Sequence, residues 1–462
     1  MKRIFDEVNS LDKRCYEKFA LTEDILMEHA ASSMASYIQK NHKDKKSILI
    51  VCGSGNNGAD GMALARLLYK AYEVSLYFYT NLKSPMAKLQ FQRAKALNIN
   101  IIETLYEADI IVDCIFGSGL NKPLKNDAIS LINKLNDINA FKIACDIPSG
   151  INNKGQIIDV AYEADITITM GALKTSLYTD SAKEFVGDIK VANLGVQREV
   201  YEGNSNKYLL EKEDMILPKR SKKQNSHKGT YGHLNVIAGC KKGAGVIAAK
   251  AAFGFGAGLV SVVCHEELDL PYHIMQTHFL SQNCTAIAIG MGLGKYDKKE
   301  IKEILDNDLP MIIDADLFYE EIILDILDKD IVLTPHPKEF CALLKLCKIA
   351  DISIIELQEN RFFYVELFSK KYPNITLLLK GANVLISKNK EIFVNPYGSS
   401  VLSKGGSGDV LSGLIASLLA QGYKSIEATI SASLAHTFAA KAYKKNDYSL
   451  IPSDLIEEVK KL

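Results

Sequence analysis

The chain has 462 residues, 47% hydrophobic and 24% charged, so it exceeds the usual single hydrophobic core and predicts two folded domains of about 200 to 250 residues. Lys plus Arg and Asp plus Glu each total 55, which excludes the electrostatic footprint of a nucleic-acid or anionic-membrane binder; any anion must be held locally. Nine cysteines without C-x-x-C or zinc-type spacing, an N-terminus that turns acidic at once, and no apolar run of 18 residues predict reduced thiols and a cytoplasmic protein, neither secreted nor membrane-spanning.

A helix is expected over residues 25–39. From residue 47, short β-rich runs alternate with helical stretches: SILIVC (47–52), VSLYFY (74–79), DIIVDC (109–114), KIACDI (142–147), then strands at 165–170 and 188–192. Strands alternating with helices imply a parallel α/β sheet. Polar and charged sequence over 201–229 places a boundary near 204–206, giving domains 1–205 and 206–462. The basic run 219–223 reads as a solvated loop, with phosphate contact as the alternative. Alternation then restarts at HLNVIAG (233–239), a small-residue helix over 244–257, LVSVV (259–263), AIAIG (286–290) and MIIDAD (311–316). Strands at 331–333, 376–380 and 384–387 lead to helices over 408–421 and 425–445.

Two glycine-rich loops stand out. The first, CGSGNNGADG (52–61), joins a strand to a periodic segment at 60–69, the order a phosphate cradle needs. It lacks the spaced G-x-G-x-x-G pattern, and a tight turn alone also uses glycine. Asn56 and Asn57 exceed what a turn requires, because their amide oxygens suit a hard cation or a hydroxyl. Asp113, before FGSGL, and Asp146, in DIPSG, end two later strands, so all three segments should converge beyond the carboxyl edge of the sheet; helix caps are the alternative for each aspartate.

Together CGSGNNGADGMALAR, VDCIFGSGL and DIPSG resemble the epimerase domain of the NAD(P)H-hydrate repair family, over roughly the first 200 residues. The resemblance implies a Rossmann-like three-layer α/β/α domain that interconverts the R and S epimers of hydrated NADH and NADPH. It implies substrate contacts at Asn56, Asn57, Gly58, Ala59 and Asp60, at Gly117, Ser118, Gly119, Leu120, Asn121, Lys122 and Pro123, and at Asp146. It also implies K+ among Asn57, Asp113 and Ser149, an oxygen set suited to a hard cation. Ala59 replaces a glycine usual in the family, which implies a stiffer loop or an altered backbone contact. Asp146 is the acid/base candidate, since inverting a carbinolamine carbon requires proton transfer as a C–O or C–N bond opens and closes. Lys174 matches a family lysine and is read either as a charge stabiliser or as a surface residue.

The second loop, KGGSGD (404–409), precedes an apolar helix and resembles the anion hole of ribokinase-like phosphotransferases, in which the aspartate acts as base; a dipole-favouring aspartate is the bland alternative. With HKGTYGH, GMGLG, DAD, TPHPKE and KGANV it resembles the dehydratase of the same repair family from about residue 227 onward. That implies a ribokinase-like α/β domain with hydrate contacts at Ala244, Gly292, His336 and Asp409, and adenine-nucleotide contacts at Lys380, Gly381, Ala382, Asn383, Val384 and Gly408. Met291 and Ser407 replace a usual proline and a common threonine. The implied reaction phosphorylates the hydrate's hydroxyl with Asp409 as base, using ADP (giving AMP) or ATP with Mg2+, and then expels phosphate. His336 is read as a general acid, a hydrogen-bond donor or a rigid turn residue. His265, His273 and His278 are assigned no site, because their spacing is irregular.

The expected partners are the hydrates and an adenine nucleotide, with no nucleic acid or membrane, and the family implies a homo-oligomer. The rival readings are a ribokinase-like small-molecule kinase fused to a ligand-binding domain, and a non-catalytic nucleotide-sensing scaffold.

Overall fold

The computed structural model describes residues 1–222 and 224–462; Lys223, in the basic run, lies outside the described residues. The chain forms two compact units, Arg3–Ser205 and Asn206–Leu462, and Met1–Lys2 groups with the later one.

The first unit is built on strands β2 (Ser47–Cys52), β3 (Glu73–Phe78), β4 (Asn100–Ile102), β5 (Ile110–Cys114), β6 (Phe141–Cys145), β7 (Ile166–Met170) and β9 (Asp188–Ala192), while β1 (Lys2–Phe5) and β8 (Leu173–Lys174) pair apart from them. The seven strands run parallel in the order β4-β3-β2-β5-β6-β7-β9. Continuous apolar runs such as Ile48 to Cys52 are buried throughout, as expected of a sheet covered on both faces. The helices Glu23–Asn41, Asn56–Leu68 and Pro85–Ala96 cover one face, and Asn126–Asp137 packs on the other. Connections leave β2 in one direction and β5 in the other, so the crevice beyond the carboxyl ends of these two neighbours is the switch point where α/β sheets bind ligands.

The second unit contains β10 (Lys207–Leu209), β11 (His233–Ile237), β12 (Leu259–Val263), β13 (Met275–Thr277), β14 (Ala286–Ile289), β15 (Met311–Ile313), β16 (Val332–Leu333), β17 (Thr376–Leu379), β18 (Val384–Lys388) and β19 (Glu391–Asn395). Its order is β13-β12-β11-β14-β15-β16-β17-β18-β19-β10, parallel from β13 to β17 and antiparallel across β17-β18-β19. The small-residue helices Lys242–Gly254, Ser407–Ala420 and Ser425–Ala442 build one large core against it; Gly413, whose Cβ would fall 2.3 Å from Ala248 O, lets the first two touch backbone to backbone.

Three differences from the sequence expectations matter. The helix expected from residue 60 begins at Asn56, which puts both asparagines in its first turn rather than in a loop. The MIIDAD strand stops at Ile313, where Asp314 accepts a hydrogen bond from Ala315 N–H (2.9 Å) and caps a short 3-10 turn. Strand β19 was not expected. It returns from β18 through Asn389 and Lys390, both at positive φ (48° and 70°), the geometry that lets a two-residue hairpin follow the strand twist.

Candidate active sites

In the first unit, β2 runs directly into glycines that permit close backbone approach. A Cβ on Gly53 would lie 1.9 Å from Ile115 O, and one on Gly58 would lie 2.1 Å from Gly53 O. The tight crossing leaves a cleft of about 860 Å³ at the carboxyl ends of β2, β5 and β6. Asn56, Asn57, Asp60, the whole run 117–123 and Asp146 line it. Gly58 and Ala59 do not, because both are buried in the helix and Ala59 packs its methyl into the core. The Gly-to-Ala departure therefore sits in a helix and alters neither a loop nor the cleft lining. The first intrahelical bond in this turn is Ala59 N–H to Gly55 O (3.2 Å), so the preceding amides are left over for a ligand.

Asp146 occupies the left-handed region (φ 71°), a conformation that costs a non-glycine residue about 1–3 kcal/mol and persists only where its surroundings fix it. They do: its Oδ1 accepts from Lys174 Nζ (2.6 Å), Met170 N–H (3.0 Å) and Thr169 Oγ1 (3.2 Å). Lys174 is buried, with its side chain 3% exposed, so the surface reading of this lysine is wrong. Asp113 is fully buried, and among the described residues no cation pairs with it. It accepts from Ser149 Oγ (2.6 Å), Ser149 N–H (2.7 Å) and Ile115 N–H (3.1 Å), and burial pushes its carboxyl up to about 6 against the pull of the Ser149 hydrogen bonds. Asn57 stands over Gly117 with its buried Nδ2 unpaired among the described residues. Burial, with Asp146, Asp12 and Glu23 nearby, raises Asp60 well above the carboxylate range.

In the second unit, the helix Ser407–Ala420 starts after Gly406 (φ 89°), and its first intrahelical bond is Val410 N–H to Gly406 O (3.0 Å). The amides of Gly408 and Asp409 precede that bond and are the helix's free donors. Lys380 Nζ reaches under them, 3.5 Å from where a Gly408 Cβ would stand, and binds Asp314 Oδ1 at 2.7 Å. Ser412 Oγ donates to the other Asp314 oxygen (2.6 Å). Burial, reinforced by Asp314 and opposed by Lys380, raises the Asp409 carboxyl. Pro335 O accepts from Lys380 N–H (3.0 Å), and buried Arg361 donates to the carbonyls of Leu379, Lys380 and Asn383 (3.1 to 3.3 Å), fixing the Lys380-to-Val384 turn; Gly381 and Ala382 lie in it, and Asn383 turns inward. Gly292 (φ 60°) backs onto Lys241 and Ala244, and Gly290 onto the Asp314 carbonyl, so Ala244 and Gly292 adjoin each other.

His336 caps the helix Pro337–Leu346. Its Nδ1 accepts from Lys338 N–H (3.1 Å) and Glu339 N–H (3.2 Å), while Glu339 returns a bond to His336 N–H (2.8 Å). An accepting Nδ1 assigns the proton to Nε2, and burial together with Lys380 holds the ring below its ordinary pKa. The turn is rigid, and Nε2 lies 3.1 Å from Glu339 Oε1 within the same cap. His265 and His278 stack 6.1 Å apart, and Glu300, rather than the sequence neighbours Glu266 and Glu267, lies 2.9 Å from His265 Nε2; among the described residues no group of three metal-ligating side chains forms.

A family model described as NAD(P)H-hydrate dehydratase matches residues 234–461, and one described as YjeF-related protein N-terminus matches residues 23–176. Over 476 aligned residues covering 100% of both chains, the protein is 43% identical to the bifunctional NAD(P)H-hydrate repair enzyme Nnr of Helicobacter pylori. The chain belongs to the bifunctional NAD(P)H-hydrate repair enzyme family. The relative of the same name from Dictyoglomus turgidum is 30% identical, covering 98% of this chain and 96% of its own. The solved ADP/ATP-dependent NAD(P)H-hydrate dehydratase of Bacillus subtilis, co-crystallised with ATP/Mg2+, is 26% identical at TM-score 0.46, covering 53% of this chain and 92% of its own.

Four residues of these sites escaped sequence reasoning. Asp12 lines the first cleft from the helix Asn9–Phe19 and is held by Tyr201; neither lies in a motif, and only the fold joins them. Asp314 was visible in the DAD string but without a task. His436, in the helix Ser425–Ala442, holds Ser407 through Nε2 (3.0 Å to the carbonyl and 3.2 Å to Oγ), a contact with no local signal.

Proposed function

We propose that the first cleft of this repair-family enzyme epimerises the R and S forms of hydrated NADH and NADPH, and that the second site dehydrates the S form with ADP as phosphoryl donor, giving NAD(P)H, AMP and phosphate. One observation carries the second half: Asp409 stands in the first turn of a buried helix whose free amides face the same space as Lys380. In that arrangement the amides and Lys380 receive the phosphoryl oxygens, and Asp409 takes the proton from the hydrate's hydroxyl as oxygen bonds to phosphorus. The phosphate then leaves with its C–O bonding pair as the ring-nitrogen lone pair forms a C=N bond, and loss of a proton from the neighbouring ring carbon returns that pair to nitrogen and leaves the new C=C bond. Ala244, Gly292 and His336 border the hydrate, and the Lys380-to-Val384 turn borders the nucleotide. A magnesium ion here would bind chiefly through phosphate and water oxygens, the habit of this cation, and would neutralise charge on the transferred phosphoryl group.

In the first cleft, Asp146 transfers a proton as the C–O bond at the carbinolamine carbon opens and recloses, and the run 117–123 with Asn56 and Asp60 encloses the hydrate. Asn57, Asp113 and Ser149 fit K+: all offer oxygen, and Asp113 is a buried acid without a counter-cation. These residues would hold the cation, which would supply charge balance to Asp113 there. The nine free thiols support a reducing, cytoplasmic setting, and no described helix is long and apolar enough to cross a membrane. The family reading carries with it a homo-oligomer.

The test gives the purified chain R or S hydrate with ADP or ATP, in K+ and in Na+ buffer, and follows nicotinamide absorbance. D409N loses dehydration of the S hydrate by about 100-fold or more and still epimerises, whereas D146N loses repair of the R hydrate alone. A stable phosphorylated product, or normal dehydration by D409N, refutes the assignment; equal R-hydrate repair in K+ and Na+ refutes the cation site.

A further inference from the structure

We propose that Asp12 is a second proton-transfer residue of the first cleft, working with Asp146 on the hydroxyl-bearing carbon of the hydrate; the proposal rests on the epimerase reading of that cleft. Three acidic side chains face the cleft from separate elements: Asp12 from the helix Asn9–Phe19, Asp60 from Asn56–Leu68, and Asp146 from the end of β6. Lys174, beside them, is committed to Asp146, and Lys83, Lys122 and Lys125 also line the cleft.

Epimerisation of a carbinolamine through C–O cleavage needs two proton transfers and no change of oxidation state. One group gives a proton to the departing hydroxyl as its C–O bond breaks and the ring-nitrogen lone pair forms a C=N bond. A second group takes a proton from the water that adds to the other face, which restores the C–O bond and returns the electron pair to nitrogen. One water leaves and one enters. In one direction Asp12 gives and salt-bridged Asp146 takes; in the other the roles exchange, and solvent in the cleft returns the proton between turnovers.

Both groups must be oriented before they can act. Asp146 is held by three hydrogen bonds. The Tyr201 hydroxyl donates to Asp12 Oδ1 at 2.7 Å, and Oδ2 bonds to no described residue. Tyr201 is itself pinned, because Gly171 (φ 72°) backs onto its ring so closely that a Cβ there would stand 2.4 Å from two ring carbons. Asp60, by contrast, has no hydrogen-bond partner among the described residues to aim it. The charges around Asp12 come from every neighbouring element: Asp146 and Glu23 favour its protonated form, Tyr201 and Lys174 its ionised form, and Asp60 is coupled to it. Burial is the largest influence, and the net direction is upward.

The test uses the full-length chain and R hydrate, reading epimerisation through the second site with saturating ADP, and applies D12N, D60N and Y201F. D12N lowers kcat for R-hydrate conversion about 100-fold or more while KM stays within about threefold, the size and split expected of a lost acid–base group. Y201F keeps most of kcat but moves the Asp12 limb of the kcat–pH profile upward, because loss of the donated bond disfavours the carboxylate; a merely structural Tyr201 leaves that limb in place. A D12N enzyme with near wild-type kcat, a D60N enzyme that loses kcat while D12N keeps it, or an unmoved limb in Y201F overturns the proposal. If D12N does not fold, the Y201F profile decides alone. Wild-type protein that repairs S but never R hydrate sinks the epimerase reading itself, an outcome distinct from all of these.

Discussion

Acidification strikes the second unit through one buried imidazole. His436 Nε2 donates to the carbonyl of Ser407, the first residue of the helix that presents Gly408 and Asp409, and burial holds the ring's pKa down at about 4 against an ordinary 6.5. Between these values the unfolded chain binds a proton that the native chain refuses, so stability present above pH 6.5 drains away as pH falls toward 4 and then levels off. At about 1.4 kcal/mol per pH unit the full window is worth about 3.4 kcal/mol, and about 2.5 kcal/mol of it is lost by pH 4.5. The imidazole is 6% exposed, so solvent screening takes little from this. The chain has no tryptophan, so urea unfolding is followed by far-UV circular dichroism at pH 7 and 4.5. H436Q keeps an N–H donor but cannot titrate, and carboxylates elsewhere contribute equally to both proteins. The wild type therefore loses about 2 to 3 kcal/mol more than the variant on acidification. Equal losses in the two proteins refute the reasoning.

Two further outcomes follow from the same geometry. K174M strands Asp146 as a buried carboxyl without its cation and costs the first unit about 3 to 5 kcal/mol in denaturant unfolding, of which adding D146N recovers a large part; additive losses would mean the pair is not coupled. G53A drives a methyl to 1.9 Å from Ile115 O and abolishes R-hydrate repair while S-hydrate dehydration persists, whereas G408A meets only Lys380 Nζ at 3.5 Å and folds normally by thermal melting.

What the sequence made legible was the local part of each site. Strand–loop–helix order, Asn56 and Asn57 in a glycine turn, and Gly408-Asp409 before an apolar helix are short-range patterns, and the fold sets them where ligands bind in α/β sheets. The helix start at Asn56 was displaced because the sequence reading relied on apolar periodicity, which begins only after the polar first turn. The hairpin strand β19 was missed because Asn389-Lys390 lacks the glycine that announces such turns. Asp12 with Tyr201, Lys380 with Asp314 and His436 with Ser407 are 189, 66 and 29 residues apart, and no local pattern encodes a contact at that range.

These distant contacts also explain why two similar helix starts serve different chemistry. Each presents free amides, yet the surroundings differ in where the cation stands. At the second, Lys380 lies against Gly408 with its charge beside the amides, adding to the field that receives a phosphoryl group. At the first, Lys174 is spent on Asp146, while Asp12, Asp60 and Asp113 remain without a bonded cation. Those acids suit proton transfer and a small cation, while Lys83, Lys122 and Lys125 of the same lining offer positive charge to a dinucleotide's pyrophosphate. The division of labour is thus set less by the glycine loops than by the side chain that the fold delivers behind each one.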